Sequence, residues 1–388
     1  MRIFSFISFL VIVLSLYGAL NLYIWLHLAR VVPHLGLLKI PVVTAFLLLV
    51  AAFPIGRIGG AFCRCSFTDI LAVVGSWYLG FMIYVMILLA LFDIILLADN
   101  WLRILPRSLS GKGGKTVIAA FWIVITISGL IVAAGRWNAV NPVIREYDVT
   151  LEGTPGEAPL RLVVATDLHV GLMVRNHWLN EMIDLINAAS PDVVLLVGDI
   201  VDSDVTLAQE EDLSGVLAEI SAPLGVFAVL GNHEFYSGPE EAEKSFEDGS
   251  VTVLRDESVV VGGVFNLVGR DDRASSRLGR ERLPLKDIVL ADKDLPVIVM
   301  DHTPSDLHEA EEAGVSLQVS GHTHRGQLWP FNYVTSRIFE QDWGFLQKGE
   351  TLIYVSCGLG VWGPPIRTSS RPEVVVLKVS FKGSVNSE

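Results

Sequence analysis

The stretch Val193-Val194-Leu195-Leu196-Val197-Gly198-Asp199 decides the fold class of the second part of this chain. Five consecutive apolar residues follow Pro191-Asp192 and stop at a glycine, which predicts a strand that is buried on both faces. Asp199 then emerges where the strand leaves the sheet, and open α/β sheets carry their chemistry at that edge. Because Gly198-Asp199 is by itself also an ordinary turn signal, its neighbours along the chain must decide between the two interpretations.

The composition divides the chain into two parts near Asn141-Pro142. Residues 1–142 contain 10 Lys and Arg against 3 Asp, whereas the remainder contains 19 Lys and Arg against 39 Asp and Glu. An acidic second part argues against a nucleic-acid partner, which would need a basic face, and it suits metal ions better. The three cysteines, Cys63, Cys65 and Cys357, do not make a disulfide framework.

Residues 1–142 are predicted to form a membrane domain of four helices. Apolar stretches at about residues 4–29, 37–54, 70–92 and 117–134 have the lengths that cross a hydrocarbon core. A cleaved signal peptide is the alternative interpretation of the first stretch, although this stretch is longer than a signal core and lacks a clear cleavage site. We therefore expect an integral protein of the cytoplasmic membrane, with the lipid bilayer as its partner.

The Lys and Arg residues of the short loops predict the orientation of the chain. The connections after the first and third spans hold five of them, Arg30, Arg103, Arg107, Lys112 and Lys115. The opposite side holds four, Arg2, Arg57, Arg64 and Arg136. Because four spans leave both termini on one side, this excess predicts that residues 143–388 lie outside the cytoplasm. The fourth span is followed closely by the first strand patterns, so this domain should sit against the bilayer.

Residues 143–388 alternate strand and helix patterns. Among them, strands are predicted over residues 160–165, 259–269 and 317–320 and a helix over residues 207–220. The predicted strands repeatedly end in polar side chains. Four of them end in Asp167-Leu168-His169, Gly198-Asp199, Gly231-Asn232-His233-Glu234 and His302, and a fifth is followed by Gly321-His322-Thr323-His324. Residues two apart on an extended segment point the same way, so Asp167 and His169 can share a metal. Each motif alone has an ordinary explanation as a turn, a helix cap or a core histidine, but the ordered set is hard to obtain by chance.

The ordered set closely resembles the calcineurin-like metallophosphoesterase family, whose pattern D-x-H, G-D, G-N-H-[DE], H, G-H-x-H is complete within about residues 145–380. The chain is most similar to the membrane-tethered YkuE/YaeI-like branch of that family. Its stretches Val355-Ser356-Cys357-Gly358-Leu359-Gly360 and Gly363-Pro364-Pro365-Ile366-Arg367 are similar to the ending of that branch. The resemblance implies an α/β domain built as a two-sheet β-sandwich flanked by helices.

The resemblance also implies two divalent metal ions, Mn, Fe or Zn, bound by the side chains at the strand ends. One ion would be held by Asp167, His169 and His324, the other by Asn232, His302 and His322, and Asp199 would bridge them. Two such ions present a shared water as hydroxide and clamp the phosphoryl oxygens during in-line attack. A metal-dependent phosphoric ester hydrolase is therefore expected.

Two further sets of residues follow from the same resemblance. His233 is implied as a catalytic residue with Asp199, placed to protonate the leaving oxygen or to stabilise the transferring phosphoryl group. Glu234 either orients His233 or begins the next helix, and in neither role would it bind metal. Arg325 either contacts a substrate phosphate or pairs with an acidic neighbour, and Arg270 and Arg367 are further candidates for substrate contact.

Large apolar residues crowd the loops after the last ligands, at Leu328-Trp329-Pro330-Phe331, Trp343-Gly344-Phe345-Leu346 and Trp362. They either pack the sandwich or form an apolar rim that meets lipid, and the second interpretation favours a lipid-linked phosphodiester or pyrophosphate substrate. The resemblance adds the UDP-2,3-diacylglucosamine pyrophosphatase step of lipid A synthesis as a candidate reaction, which would ordinarily need a cytoplasmic face. A non-catalytic metal-binding membrane scaffold or receptor is the alternative from another class, and the complete ligand set argues against it.

Overall fold

The computed structural model describes residues 2–103, 114–153, 159–288 and 290–382. Its contacts divide the chain into two units, Met1–Gly135 and Arg136–Glu388. The composition alone predicts this boundary at residue 142. The structural boundary comes earlier because the last turn of the fourth helix belongs to the second unit, where Ala139 is completely buried in the core. The basic residues Arg107 and Lys112, used above for orientation, lie outside the described residues.

Four long apolar helices precede the strands, as predicted. They are α1 (Arg2–Val31), α2 (Lys39–Phe62), α3 (Ser66–Leu102) and α4 (Gly114–Ala139). Each contains a segment long and apolar enough to cross a membrane. The acidic side chain of Asp93 on α3 is held by α1, because its Oδ2 accepts a hydrogen bond of 2.8 Å from the Tyr23 hydroxyl and lies 3.1 Å from His27 Nε2.

Two six-stranded sheets form the second unit, which confirms the predicted α/β sandwich. The first has the order β1 (Val143–Glu152), β12 (Glu373–Lys382), β2 (Leu160–Ala165), β3 (Val193–Val197), β4 (Val226–Val229) and β5 (Thr252–Val253). The second has the order β10 (Gly344–Lys348), β11 (Thr351–Val355), β9 (Leu317–Ser320), β8 (Val297–Met300), β7 (Phe265–Gly269) and β6 (Glu257–Val261). Strands β2 to β5 run parallel, as do β7, β8, β9 and β11.

The apolar run of β3 is buried on both faces, as its sequence predicts. Leu195 packs with Ile298 and Tyr354 in the core shared with the second sheet. Leu196 packs on the other face against the helices that cover the first sheet. The helices of the second unit are α5 (Asn176–Ala188), α6 (Val205–Glu210), α7 (Leu213–Leu217), α8 (Asn232–Ser237), α9 (Pro239–Asp248), α10 (His308–Glu312) and α11 (Asn332–Ile338).

Two predicted elements are divided in the structure. The predicted strand 259–269 is a hairpin of β6 and β7, because Gly262 and Gly263 adopt φ of 59° and 69° and turn the chain. The predicted helix 207–220 is two short helices, α6 and α7, because Asp212 takes a left-handed conformation with φ of 57°. Both breaks lie away from the strand ends that carry the candidate ligands.

Candidate metal centre

The candidate ligands follow the carboxyl ends of five parallel strands, on turns with an uncommon backbone conformation. Asp167, His169, Asp199, His322 and His324 all have positive φ, between 49° and 70°. A residue with a side chain adopts this left-handed conformation at a cost, and such residues concentrate at functional sites. The turns therefore aim these side chains at the expense of local backbone strain.

Glycine is required beside two of these ligands because the strand ends approach each other closely. A Cβ atom on Gly198, which has φ of 75°, would lie 2.6 Å from His302 Nδ1. A Cβ atom on Gly231 would lie 2.2 Å from Asp199 Oδ1. The glycines of the G-D and G-N-H-E motifs thus allow the ends of β3 and β4 in the first sheet and of β8 in the second to approach each other, which brings their ligands together.

Asp167, His169 and His324 form a first buried cluster. Their ligand atoms all lie within 4.8 Å of one another. The Nε2 atoms of His169 and His324 are 3.0 Å apart, and His324 Nε2 is 3.3 Å from Asp167 Oδ1. Two imidazoles and a carboxylate that converge in this way could hold a divalent cation.

Asp199, His302 and His322 form a second cluster of the same dimensions. His302 Nδ1 donates a hydrogen bond of 2.8 Å to the carbonyl of Val197, so its Nε2 is turned to the cluster and lies 3.1 Å from Asp199 Oδ2. A backbone acceptor behind the ring is the usual way in which a protein orients a metal-binding histidine. Asp199 Oδ2 is also 3.8 Å from His169 Nε2, so this carboxylate lies between the two clusters.

Asn232 supplies an amide oxygen that suits an ion. Its Oδ1 is buried and has no hydrogen-bond partner among the described residues. Buried polar atoms are almost always satisfied, so an orphaned oxygen beside a group of metal ligands fits a bound cation. The donor set of carboxylate, amide and imidazole groups therefore fits the divalent ions that the sequence predicts.

His233 lies at the edge of both clusters and is half-buried. Its Nε2 is 4.0 Å from Asp199 Oδ2, and its ring centroid is 4.7 Å from that of His169. Its backbone nitrogen donates a hydrogen bond of 2.9 Å to Asp199 Oδ1, which fixes the side chain relative to the shared carboxylate. This position fits a proton donor beside the ligands. The ligand atoms of His233, His169 and Asp199 also lie within 4.8 Å of one another, so His233 is close enough to be a ligand itself.

Asp202 is a functional residue that the sequence interpretation missed. Its Oδ1 lies 3.6 Å from both His169 Nδ1 and His233 Nδ1, and its carbonyl contacts His233 Nδ1. Asp202 therefore lies beside the Nδ1 atoms of a candidate ligand and of the candidate acid, and its carbonyl is hydrogen-bonded to the second. The available signal was a second aspartate three residues after Asp199, on the same loop.

Glu234 ties two of the ligand turns together through hydrogen bonds to their backbone nitrogens. It is completely buried, and its carboxylate accepts hydrogen bonds from the backbone nitrogens of Asp199, Val201 and Gly231. Burial, with a contribution from Asp199, raises the pKa of Glu234 to about 7. Glu234 lies in the first turn of α8, as one of its two predicted roles requires, and it also braces the G-D turn.

Two of the three predicted substrate-binding arginines are buried. Arg270 lies 3.1 Å from Asp301 Oδ2 and 2.8 Å from Glu309 Oε2. Arg367 donates to the carbonyls of Cys357 and Gly360 and lies 2.9 Å from His324 Nδ1. Both side chains are about 2% exposed or less, which is at odds with direct substrate contact. Arg367 instead packs against the Nδ1 side of the candidate ligand His324.

Arg325 remains accessible. Its guanidinium carbon lies 4.1 Å from the ring centroid of Trp343, a cation–π contact that holds the side chain. It follows the ligand His324 directly, so it is close to the first cluster. Of the three arginines, Arg325 is the one whose position is compatible with a substrate phosphate.

Burial and neighbouring charges shift the pKa values of the ligands, in opposite directions for Asp199 and His302 and in the same direction for His324. Burial raises the pKa of Asp199, but the adjacent histidines, above all His302, outweigh it and hold this pKa well below its usual range. Burial, reinforced by Arg367, holds the pKa of His324 well below its usual range. Burial lowers the pKa of His302, but Asp199 outweighs it and raises that pKa.

The fold and this group of side chains define a metal-dependent phosphoesterase. A model of the calcineurin-like phosphoesterase family matches residues 160–326. An uncharacterized metallophosphoesterase of Aquifex aeolicus is 34% identical over 246 residues, which are 62% of this chain and 93% of that protein. The chain therefore belongs to the calcineurin-like phosphoesterase family.

Two further relatives extend the similarity beyond the phosphoesterase domain. The uncharacterized metallophosphoesterase Cj0846 of Campylobacter jejuni is 27% identical over 392 residues, which are 97% of this chain and 99% of that protein. The transmembrane protein with metallophosphoesterase domain of Danio rerio is 28% identical over 292 residues, which are 69% of this chain and 64% of that protein. Together with the four apolar helices, these relatives indicate a membrane protein.

Proposed function

We propose that this chain is a membrane-anchored hydrolase that cleaves a phosphodiester or pyrophosphate bond of a lipid-linked substrate, with two divalent metal ions, Mn, Fe or Zn. The observation that carries the proposal is the pair of ligand clusters that meet at Asp199. One ion would be held by Asp167, His169 and His324 and the other by Asn232, His302 and His322, with Asp199 common to both. Such a pair of ions activates water and neutralises the charge of the phosphoryl oxygens.

The residues around the ions have separate tasks in this proposal. His233 donates a proton to the leaving oxygen from its half-buried position beside Asp199. The backbone carbonyl of Asp202 orients the His233 ring, and burial together with Arg367 lowers the pKa of His324, which favours the neutral imidazole. Arg325, stacked on Trp343, binds a phosphate oxygen of the substrate.

A lipid-linked substrate is supported by the connection to the membrane and by the surroundings of His233. Helix α4 ends at Ala139 and β1 begins at Val143, so the domain is joined to a membrane helix by a very short linker. The His233 ring lies 6.4 Å from the ring of Trp362 and 6.0 Å from that of Tyr236, and both aromatic side chains are more than half exposed. Exposed aromatic side chains of this kind favour a membrane interface.

We also propose that the catalytic domain lies on the extracytoplasmic side of the cytoplasmic membrane. This rests on the small excess of Lys and Arg in the connections after the first and third spans. The turn that holds Cys63 and Cys65 between α2 and α3 would then lie on the same side as the catalytic domain.

The proposal is tested with full-length protein purified in detergent. The protein is incubated with Mn²⁺ and chromogenic phosphate mono- and diesters, with extracted lipids and with UDP-2,3-diacylglucosamine. We expect metal-dependent hydrolysis that Asp199→Ala abolishes and that His177→Ala leaves unchanged, because the His177 side chain is 92% exposed on α5. Equal turnover by the wild type and Asp199→Ala would refute the mechanism, and bound metal without any turnover would favour a scaffold.

A further inference from the structure

Five large apolar side chains project from the segment after the last ligands, and we call them the apolar ledge. They are Trp329, Phe331, Tyr333, Val334 and Ile338, each between 42% and 68% exposed. Helix α11, which carries three of them, contains no buried residue. A cluster of this size on a surface marks an interaction site, because soluble surfaces rarely expose contiguous large apolar groups.

The apolar ledge is fastened to the loop 362–368. The Gln327 side chain, just before the ledge, donates hydrogen bonds of 2.7 Å and 2.9 Å to the carbonyls of Trp362 and Pro364. The backbone nitrogen of Trp329 donates a hydrogen bond of 2.8 Å to the Thr368 hydroxyl. These hydrogen bonds fix the start of the segment that carries the ledge, while the apolar side chains of the ledge remain exposed.

The same loop is bonded to the last turn of α4, which belongs to the same unit. The Asn138 side chain donates a hydrogen bond of 3.3 Å to the carbonyl of Arg367, and Arg136 Nη1 lies 3.4 Å from the carbonyl of Pro365. The candidate membrane span Ile118–Ala139 ends in this turn. The apolar ledge is thus one loop away from the end of that candidate span.

The ledge also borders the metal centre. Phe339, directly after α11, places its ring 5.8 Å from the ring of the candidate ligand His322. At the other end of the segment, the ligand His324 is followed by Arg325. A surface that the ledge contacts is therefore close to both ends of the G-H-x-H motif.

The charge of the segment suits a bilayer that contains anionic lipid. Residues 325–339 include Arg325 and Arg337 and contain no acidic residue, although the domain as a whole is acidic. Tryptophan and tyrosine side chains beside arginine are the usual composition of segments that lie in the membrane interface.

We propose that the apolar ledge inserts into the interfacial region of the bilayer that anchors α4. The metal centre would then meet the phosphate of a lipid at the membrane surface, where the headgroup lies. Only this role in substrate access rests on the proposed function; the insertion itself does not.

The test uses the full chain in nanodiscs of phosphatidylcholine and phosphatidylglycerol. In a Cys63→Ser, Cys65→Ser background, a fluorescent NBD label is placed at Tyr333→Cys or, as a control, at Glu247→Cys. Glu247 is an exposed residue of α9, which packs beside the edge strand β5. The remaining Cys357 is buried. We expect lipids with brominated acyl chains to quench the label at 333 at least threefold more than the label at 247, and iodide in the buffer to do the reverse.

Equal quenching of both labels by brominated lipid would overturn the insertion, as would equal access of iodide. A second variant, Val334→Asp with Ile338→Asp, should abolish the preferential quenching of the label at 333 if these side chains anchor the ledge. The readout does not depend on turnover. An inactive protein with a lipid-quenched label would refute the proposed function alone, and an active protein with an unquenched label would refute the ledge alone.

Discussion

At the scale of single residues, a substitution of His233 should impair catalysis but leave metal binding intact. Its Nε2 is 4.0 Å from Asp199 Oδ2, whereas His302 Nε2 is 3.1 Å from the same atom. We therefore expect His233→Ala to keep its full metal content, measured by plasma mass spectrometry, while kcat falls about 100- to 10,000-fold, the range for loss of a general acid. Loss of a metal equivalent in this variant, but not in His177→Ala, would place His233 among the ligands instead.

For Glu234 we predict an effect on stability, because its buried carboxylate accepts hydrogen bonds from three backbone nitrogens. Glu234→Gln keeps the shape but replaces one acceptor oxygen by a donor, and an unsatisfied buried group costs about 1–3 kcal/mol. We expect the variant to unfold at a lower temperature or urea concentration. The exposed Glu247→Gln is the matched control, and an equal effect of both substitutions would contradict the bracing role.

Some residues have roles that the sequence did not reveal, because a distant partner defines each role. Asp202 is recognised only when His169 and His233 are seen on either side of it. Arg270 and Arg367 are ordinary loop arginines in the sequence, and only the fold shows that they are buried. The candidate ligands could be named from the sequence because they follow five predicted strands within short local motifs.

At the scale of elements, buried strands and membrane helices were predictable because one uninterrupted apolar run defines each. Strands β2 and β9 have the bounds that their sequences predict. Helices α9 and α11 and strand β10 were missed. Of these, α11 is only seven residues long and has no buried residue, so its apolar positions span too few turns to predict a packed helix.

The turn between α2 and α3 offers a test of orientation with the native cysteines. Cys63 and Cys65 are exposed there, and hydrogen bonds with Thr68 lower the pKa of Cys65, which increases its reactive thiolate. Burial raises the pKa of Cys357 to about 12, so this thiol stays protonated at neutral pH. We expect a membrane-impermeant maleimide to label intact cells at Cys63 and Cys65 and to leave Cys357 unlabelled.

A Cys63→Ser, Cys65→Ser variant, which should take up no label until the protein is denatured, is the control for this experiment. Labelling of Cys63 and Cys65 only after the membrane is permeabilised would place the turn, and with it the catalytic domain, on the cytoplasmic side. That result would restore the cytoplasmic pyrophosphatase reaction as a candidate and would leave the metal chemistry untouched.

At the scale of the whole molecule, the division into two units predicts that metal acts on only one of them. All the candidate ligands belong to the unit Arg136–Glu388, and ions that bind the native site stabilise it against unfolding. The membrane helices have a separate core, made of side chains such as Leu28, Met82 and Phe121. Their unfolding should therefore not depend on metal.

We expect Mn²⁺ to raise the unfolding temperature of the second unit in detergent. The measurement is hydrogen exchange of the strands of this unit during a thermal ramp. At a concentration 100 times Kd the gain from one ion is about 2.7 kcal/mol, and a chelator should reverse it. Asp199→Ala should lose most of this gain because it removes the carboxylate common to both clusters, whereas exchange in α1 to α3 should stay unchanged. If Mn²⁺ raised the unfolding temperature of Asp199→Ala by the same amount, the ion would bind elsewhere. The two clusters would then be a feature of side-chain packing and not a metal site.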